Sequence, residues 1–376
     1  MSGTDSRRLA YIDSLRAIAA MLVVWTHVSE LFINVGPRAA ASGWVHDLAV
    51  RIGAGRLGVV TFFAISGFVI PFSIKLGHRH PVREFLVTRF FRLYPAYWLS
   101  IPLGIFACQW LWGRSFSLSE ILVNLTMLET LFDVTPAIGL YWTLAVELVF
   151  YVCCVLLVLA GSITNYRRIG ALVLVLIAIH VLAVALTVRN GMSVWLVPTY
   201  WCLHLAIMFW GTLYRAYQRG EATGPFESFC VLGVAAFFVV IYPLTFTFVF
   251  NMSYELTIGY SLGVLLFIVG TRVVRLEWRP LAWLGLVSYS IYLFHPVVFS
   301  AALRWLVLQP NDSWWRSWHL GFYVLAILLL TIGVAALVYK LVERPSIRFG
   351  RRLAAAWFDD PALPRGTALQ ASREGA

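Results

Sequence analysis

The sequence predicts an all-α integral membrane protein of about ten transmembrane helices, with both termini on the cytoplasmic side. Three observations carry that prediction. The 376 residues are 60% hydrophobic and 12% charged, with a mean hydropathy of +0.80, whereas a soluble domain carries roughly a quarter charged residues. Ten apolar segments approach the roughly 20 residues that a helix needs to cross a bilayer. With the N-terminus inside, 22 of the 29 Lys and Arg residues fall in inner segments and 7 in outer ones. That asymmetry is the one expected of cytoplasmic loops.

In chain order, the segments centre on residues 13–34, 57–74, 93–113, 140–161, 169–188, 194–214, 229–250, 256–272, 281–303 and 319–341. The first reads as a retained span, because it is too long for a signal peptide and lacks a small-residue cleavage site. Pro71, Pro95, Pro198, Pro243 and Pro296 fall within or at the ends of spans. Such breakers are tolerated where neighbouring helices satisfy the freed carbonyls. Gly36 to Gly55 is an outer loop. The segment from Arg114 to Gly139 contains SLSEILVNLTMLETLF, whose apolar residues recur at helical spacing, and reads as an interfacial helix over the outer mouth. Residues 11–350 form one transmembrane domain, and 351–376 read as a disordered cytoplasmic tail, low in aromatics. There is no internal repeat and no soluble domain. The net charge of +11 does not point to nucleic acid, since the basic residues flank apolar spans. The five cysteines lie in or beside apolar segments without metal-ligand spacing, so no metal is expected.

Against that apolar background the buried polar residues stand out. Arg16 lies near the start of the first span and His27 eleven residues on, a separation of about 16 Å, half the hydrocarbon thickness. An ionisable residue at that depth is costly and by default functional. Counted from their span ends, His27, Glu147 in YWTLAVELVF and His295 in SYSIYLFHP all come to about 10 Å below the outer surface. A carboxylate beside an imidazole fixes its tautomer and makes it a proton acceptor near neutral pH. Shared interhelical hydrogen bonding is the plain alternative, and His295, just before Pro296, also suits a structural role in a broken helix. His180 and His204 read as packing histidines.

A second cluster gathers at the inner boundary: Arg16, Arg89 and Arg92, with Lys75, Arg79 and Arg83 just before. Guanidinium forks suit phosphates, and lipid headgroups or orientation signals account for the outlying three. Asp13 competes for Arg16 from the same helix face. Between the clusters, Ser66 and Gly67 sit near mid-membrane in VVTFFAISGFVIPF. Small residues there permit close helix approach or passage of a thin ligand.

Together these residues resemble the acyltransferase-3 family of integral membrane acyltransferases. The resemblance rests on Arg16 and His27 with ten residues between, Phe62 to Gly67 (FFAISG), Arg89 to Pro95 (RFFRLYP) and WTLAVE with Trp142 and Glu147. Ser288 to Pro296 and Glu343-Arg344-Pro345 complete it. It covers about residues 11–350. Ser14, where many relatives carry glycine, is a departure, as is the absence of an extracytoplasmic hydrolase-like domain after the last span.

The resemblance implies transfer of an acyl group, in the first place acetyl from cytoplasmic acetyl-CoA, to a hydroxyl of a surface polysaccharide or lipid-linked sugar across a bacterial inner membrane. It implies Arg16, Arg89 and Arg92 on the CoA phosphates and pantetheine passing Ser66 and Gly67. His27 would be the general base, or less simply the acyl carrier, oriented by Glu147. Trp142, Tyr289, Tyr292 and His295 would stand around the substrate and oxyanion. A small acceptor such as a macrolide is the alternative within the class, and a proton-coupled transporter the alternative outside it. The outer tryptophans Trp110, Trp112, Trp314, Trp315 and Trp318 suit sugar stacking or, more simply, interfacial anchoring.

Overall fold

A computed structural model of the chain describes residues 9–189 and 197–358. All regular structure among them is helical. Ten long helices form the body: α1 (Ala10–Phe32), α2 (Ala54–Ser73), α3 (Pro81–Gly104), α4 (Trp142–Leu159), α5 (Tyr166–Arg189), α6 (Val197–Gln218), α7 (Pro225–Phe248), α8 (Tyr254–Val273), α9 (Ser288–Val307) and α10 (Leu320–Phe358). Eight of these are long and apolar enough to cross a membrane; α3 and α6 match them in length, with 24 and 22 residues. The protein is a multi-pass membrane protein.

Helix α2 is the hub, and small residues make it so. In lipid no hydrophobic drive pulls helices together, so close packing and interhelical hydrogen bonds must do it. A Cβ on Gly58 would lie 2.5 Å from the Ala19 carbonyl of α1, and one on Gly67 would lie 1.6 Å from the Met208 carbonyl of α6. On the facing helices, Gly211 of α6 and Gly263 of α8 leave equally little room against Ala64 and Val60. Thr212 Oγ1 then donates to the Gly67 carbonyl (3.0 Å). Gly67 of α2 thus makes the close helix approach to α6 that a small residue permits.

Three expectations need correction. The ninth segment is broken: Arg279–Leu286 is a separate short helix, and α9 starts only at Ser288. The short helix packs closely on α1, since a Cβ on Gly285 would lie 1.8 Å from the Asp13 carbonyl. In place of one continuous interfacial helix, the outer segment holds a short α-helix, Leu118–Asn124, closed at its start by a Ser117–Glu120 capping box, and a 3-10 turn at Glu129–Leu131. Met127 in the left-handed region (φ 65°) stops the α-helix. The Asn124 side chain then ties the loop, donating to the Glu120 and Thr135 carbonyls (2.9 and 3.0 Å) and accepting from the Ala137 N–H (2.8 Å). Residues 351–358, expected in a disordered tail, are the end of α10; the rest of that tail lies outside the described residues.

Candidate active site

The register of α1, α2 and α4 sets the depth of every polar group. Helix α2 runs antiparallel to α1, with Gly55 against Thr26 and Gly58 against Ala19 and Val23. At the level of Thr26 and His27, the Arg56 guanidinium lies over the Trp142 ring, 5.6 Å from its centroid. Trp142 is the first residue of α4, and its ring lies between Arg56 and Phe63 of α2, so α4 begins within the bundle. The tied loop before it explains this. Tyr97, within α3, donates to the Asn124 carbonyl (2.6 Å), which holds the loop down between the helices.

Glu147, five residues into α4, lies about 7.5 Å further along that helix, where it meets Arg16 near the N-terminal end of α1. Its Oε1 accepts from the Tyr151 hydroxyl (2.6 Å). It lines a cavity with Arg16, Arg92, Ser66, Phe62, Thr143, Tyr289 and Tyr292. The expected His27–Glu147 pair is replaced by a Glu147–arginine cluster. Arg16 is paired with Asp13 (3.6 Å), and Arg92 feels Glu343 first among the carboxylates, then Glu147. Glu343 is itself buried in a π-helical turn of α10 and accepts from Ser290 (2.7 Å). Arg89 stands one step back from the cavity. It is hydrogen-bonded to Ser73 and lies over the Phe85 and Tyr151 rings. Helix α3 starts at Pro81, so Arg89 and Arg92 project from within it, three residues apart.

His27 finds a different partner. Its Nδ1 lies 3.2 Å from Nε2 of the fully buried His295, with the rings stacked at 5.5 Å. The tautomers follow from Pro296. A proline has no N–H, so the carbonyl four residues back, Tyr292, loses its helical donor. His295 Nδ1 fills that gap, 2.8 Å from the Tyr292 carbonyl and 3.2 Å from that of Ile291. A carbonyl only accepts, so His295 carries its proton on Nδ1 and presents a lone pair at Nε2. His27 must then donate from Nδ1, which leaves its own Nε2 as an unprotonated base.

The expected oxyanion donors are all committed elsewhere. Tyr289 donates to the Leu93 carbonyl (2.9 Å). Thr143 donates to Leu140 (3.0 Å), so at 2.8 Å it accepts from Tyr292. His295 has spent its one proton on the backbone. Tyr292 also marks the end of the cavity: with Thr143 and the edge of Phe62 it stands between the arginine cluster and the histidine pair, one helical turn from His295. Trp142 stacks on Phe63 and His204 outside the cavity. Trp314, Trp315 and Trp318 cluster at the start of α10, where Trp314 and Trp318 share a groove with Arg38 and His319. The sequence names neither Thr143 nor Glu343 as a site residue, although Glu343 belongs to the Glu343-Arg344-Pro345 motif.

Comparison with known proteins decides what kind of chemistry this is. The family model for the acyltransferase domain, Acyl_transf_3, matches residues 9–340. The chain belongs to the acyltransferase-3 family. Among its relatives in this family is "Putative membrane-bound transacylase BcsY" of Komagataeibacter xylinus, 25% identical over 95% of this chain and 86% of the relative. "Nodulation protein 10" of Rhizobium leguminosarum bv. viciae is 24% identical over 91% and 94%. "Putative peptidoglycan O-acetyltransferase YrhL" of Bacillus subtilis (strain 168) is 23% identical over 90% of this chain, which spans 55% of that relative's length. No solved structure matches the chain significantly.

Proposed function

We propose that this acyltransferase moves an acyl group, in the first place acetyl, from acyl-CoA in the cytoplasm to a carbohydrate hydroxyl on the outer side of a bacterial inner membrane. The carrying observation is the His27–His295 pair of fixed tautomer, one helical turn beyond a cavity whose other end bears Arg16 and Arg92. The relatives' names, a transacylase and a peptidoglycan O-acetyltransferase, support the reaction class and a polysaccharide or lipid-linked sugar as acceptor.

In this reading Arg16 and Arg92 hold the donor phosphates, with Glu147 and Glu343 keeping the two guanidiniums in place between turnovers. Arg89 supports them through Tyr151 and Glu147. The pantetheine arm runs past Ser66 toward Tyr292. His27 Nε2 takes the proton of the acceptor hydroxyl as its oxygen attacks the thioester carbon, and the carbonyl π pair moves onto oxygen. When that pair returns, the C–S bond breaks, the sulfur leaves with the proton from His27, and the ester remains. His295 replaces the expected Glu147 as the group that orients the base, with a backbone carbonyl behind it where a triad has a carboxylate.

The test is acetyl-CoA binding and turnover by the purified full-length protein in lipid nanodiscs. Wild type is expected to bind and slowly hydrolyse acetyl-CoA, His27→Ala to bind it without turnover, and Arg92→Gln to bind it weakly. Absence of any acyl-CoA binding by wild type sinks the donor assignment.

A further inference from the structure

We propose that the groove at the start of α10 binds an anionic membrane lipid, with the headgroup phosphate on Arg38 and His319 and the hydrocarbon chains on α10. The groove has a volume of about 450 Å³, within the range of ligand sites. It shares no lining residue with the cavity of Arg16, Arg92 and Glu147. Its occupant is therefore independent of the acyl-CoA assignment.

The groove changes character along its length. One end carries Arg38 and His319, with Trp314 and Trp318 beside them. No carboxylate lines it, and Arg38 makes no side-chain hydrogen bond or ion pair among the described residues. A free guanidinium offers a planar fork of N–H donors that suits a phosphate, and the imidazole adds another N–H. The other end is Phe322, Leu325, Ala326 and Leu329. These recur at i, i+3, i+4 and i+7, so they form one stripe of α10 about 10 Å long. Phe322, Leu325 and Leu329 are each more than half exposed, on a helix long and apolar enough to cross a membrane. The stripe meets hydrocarbon.

One class of occupant uses the full length. A soluble anion meets the cationic end and leaves the stripe bare. A neutral lipid covers the stripe and leaves the guanidinium unpaired. A phosphate-bearing lipid satisfies both, and the tryptophans fit its depth, since indoles sit at the level of the headgroups. The seat is also well held. A Cβ on Gly36 would lie 2.0 Å from the Arg316 carbonyl, and Arg316 Nε donates to the Val35 carbonyl (3.0 Å), which ties the loop bearing Arg38 to the start of α10. Trp318 stacks on Tyr323 at 5.7 Å, and Tyr323 packs on Phe32 of α1 at 5.5 Å. A lipid seated here would brace the end of α1, where Phe32 lies five residues beyond His27.

The experiment cross-links the purified full-length protein in detergent to phosphatidylglycerol carrying a diazirine in one acyl chain, and maps the modified peptides by mass spectrometry. Cross-links are expected within residues 322–329, and unlabelled phosphatidylglycerol should compete for them at concentrations about fivefold or more below those of phosphatidylcholine. Arg38→Gln should lower this cross-linking about fivefold, and the Arg38→Gln/His319→Gln double variant should lower it further. Arg114→Gln, an exposed arginine outside the groove, should leave it unchanged, and all three variants should elute as wild type in gel filtration. Equal competition by the two lipids reduces the stripe to ordinary lipid contact and overturns the proposal. Competition by glycerol 3-phosphate assigns the cationic end to soluble phosphates and overturns it too. So does cross-linking that the double variant leaves unchanged. Cross-links that vanish as wild type dimerises assign the face to a second copy of the chain, with the same consequence.

Discussion

His295 shows how one residue type serves two masters. The carbonyl freed by Pro296 takes its Nδ1 proton, and the lone pair left at Nε2 takes the Nδ1 proton of His27. His295→Ala is accordingly expected to lower kcat for donor turnover by about 10²-fold, with the donor KM within about twofold of wild type, because the cavity walls are untouched. Pro296→Ala should act in the same direction but more mildly: a restored N–H at position 296 competes for the Tyr292 carbonyl and loosens the ring of His295. Steady-state kinetics on both variants checks the pair, and a His295→Ala enzyme at full kcat removes His295 from the mechanism. Arg92→Gln belongs to the other end. It should raise the donor KM by about 10–100-fold, the value of a charge-assisted contact, while leaving kcat near that of wild type.

At the same scale, two carboxylates of the tied loop titrate in opposite senses. Burial holds Glu129 above the usual carboxylate range, against hydrogen bonds from the backbone and Tyr97. The native loop thus binds this proton more tightly than the unfolded chain, so its contribution is full below the unfolded pKa and is lost as pH rises through the folded one. Glu120 is exposed and held below its usual range by the Ser117 N–H and hydroxyl. Its contribution is present above the unfolded pKa and lost as pH falls through the folded one. Hydrogen-exchange protection of residues 114–139 should therefore weaken on raising pH through the Glu129 transition, and Glu129→Gln should abolish that weakening. Protection unchanged by the substitution would show that Glu129 does not control the loop.

At the scale of elements, the contact between α2 and α6 is the most demanding. Gly67→Val places branched carbon where the Met208 carbonyl already stands, so the helices must separate. Overpacking of this kind costs about 1–3 kcal/mol or more. The expected outcome is loss of a monodisperse peak in detergent gel filtration, whereas Gly77→Val, with nothing within 4 Å of its Cβ position, should elute as wild type. The loop between α3 and α4 is the second decisive element. Its tie to Tyr97 holds the start of α4 within the bundle, five residues before Glu147 joins Arg16 and Arg92 at the cavity.

The whole molecule divides into two cores. The larger gathers around α2 to α8, and the smaller joins α1, α9 and α10. The candidate site lies where they meet, with His27 and His295 on the smaller side and Trp142 and Arg56 on the larger. We propose that the Arg79 side is cytoplasmic, the orientation that the sequence's arginine distribution predicts. Arg79→Cys should react with a membrane-impermeant maleimide only after cells are permeabilised, and Arg38→Cys in intact cells. The reverse labelling would put the Arg16–Arg92 end of the cavity outside, away from cytoplasmic acyl-CoA.

The sequence by itself determined the membrane class, the approximate placing of the ten long helices and the family, because hydropathy and motif order are properties of the chain read in one dimension. It also singled out His27, Glu147, His295, Arg16 and Arg92, since an ionisable residue in an apolar span is conspicuous without any structure. Only the tertiary structure decided who faces whom. Depth counted along a helix gives neither the angle about its axis nor the level at which it begins. A tied loop set where α4 begins, a proline chose the tautomers of two histidines, and facing glycines packed α2 against α1, α6 and α8. Partners within a membrane bundle are set by rotation and register, and those follow from contacts between helices that no single span contains.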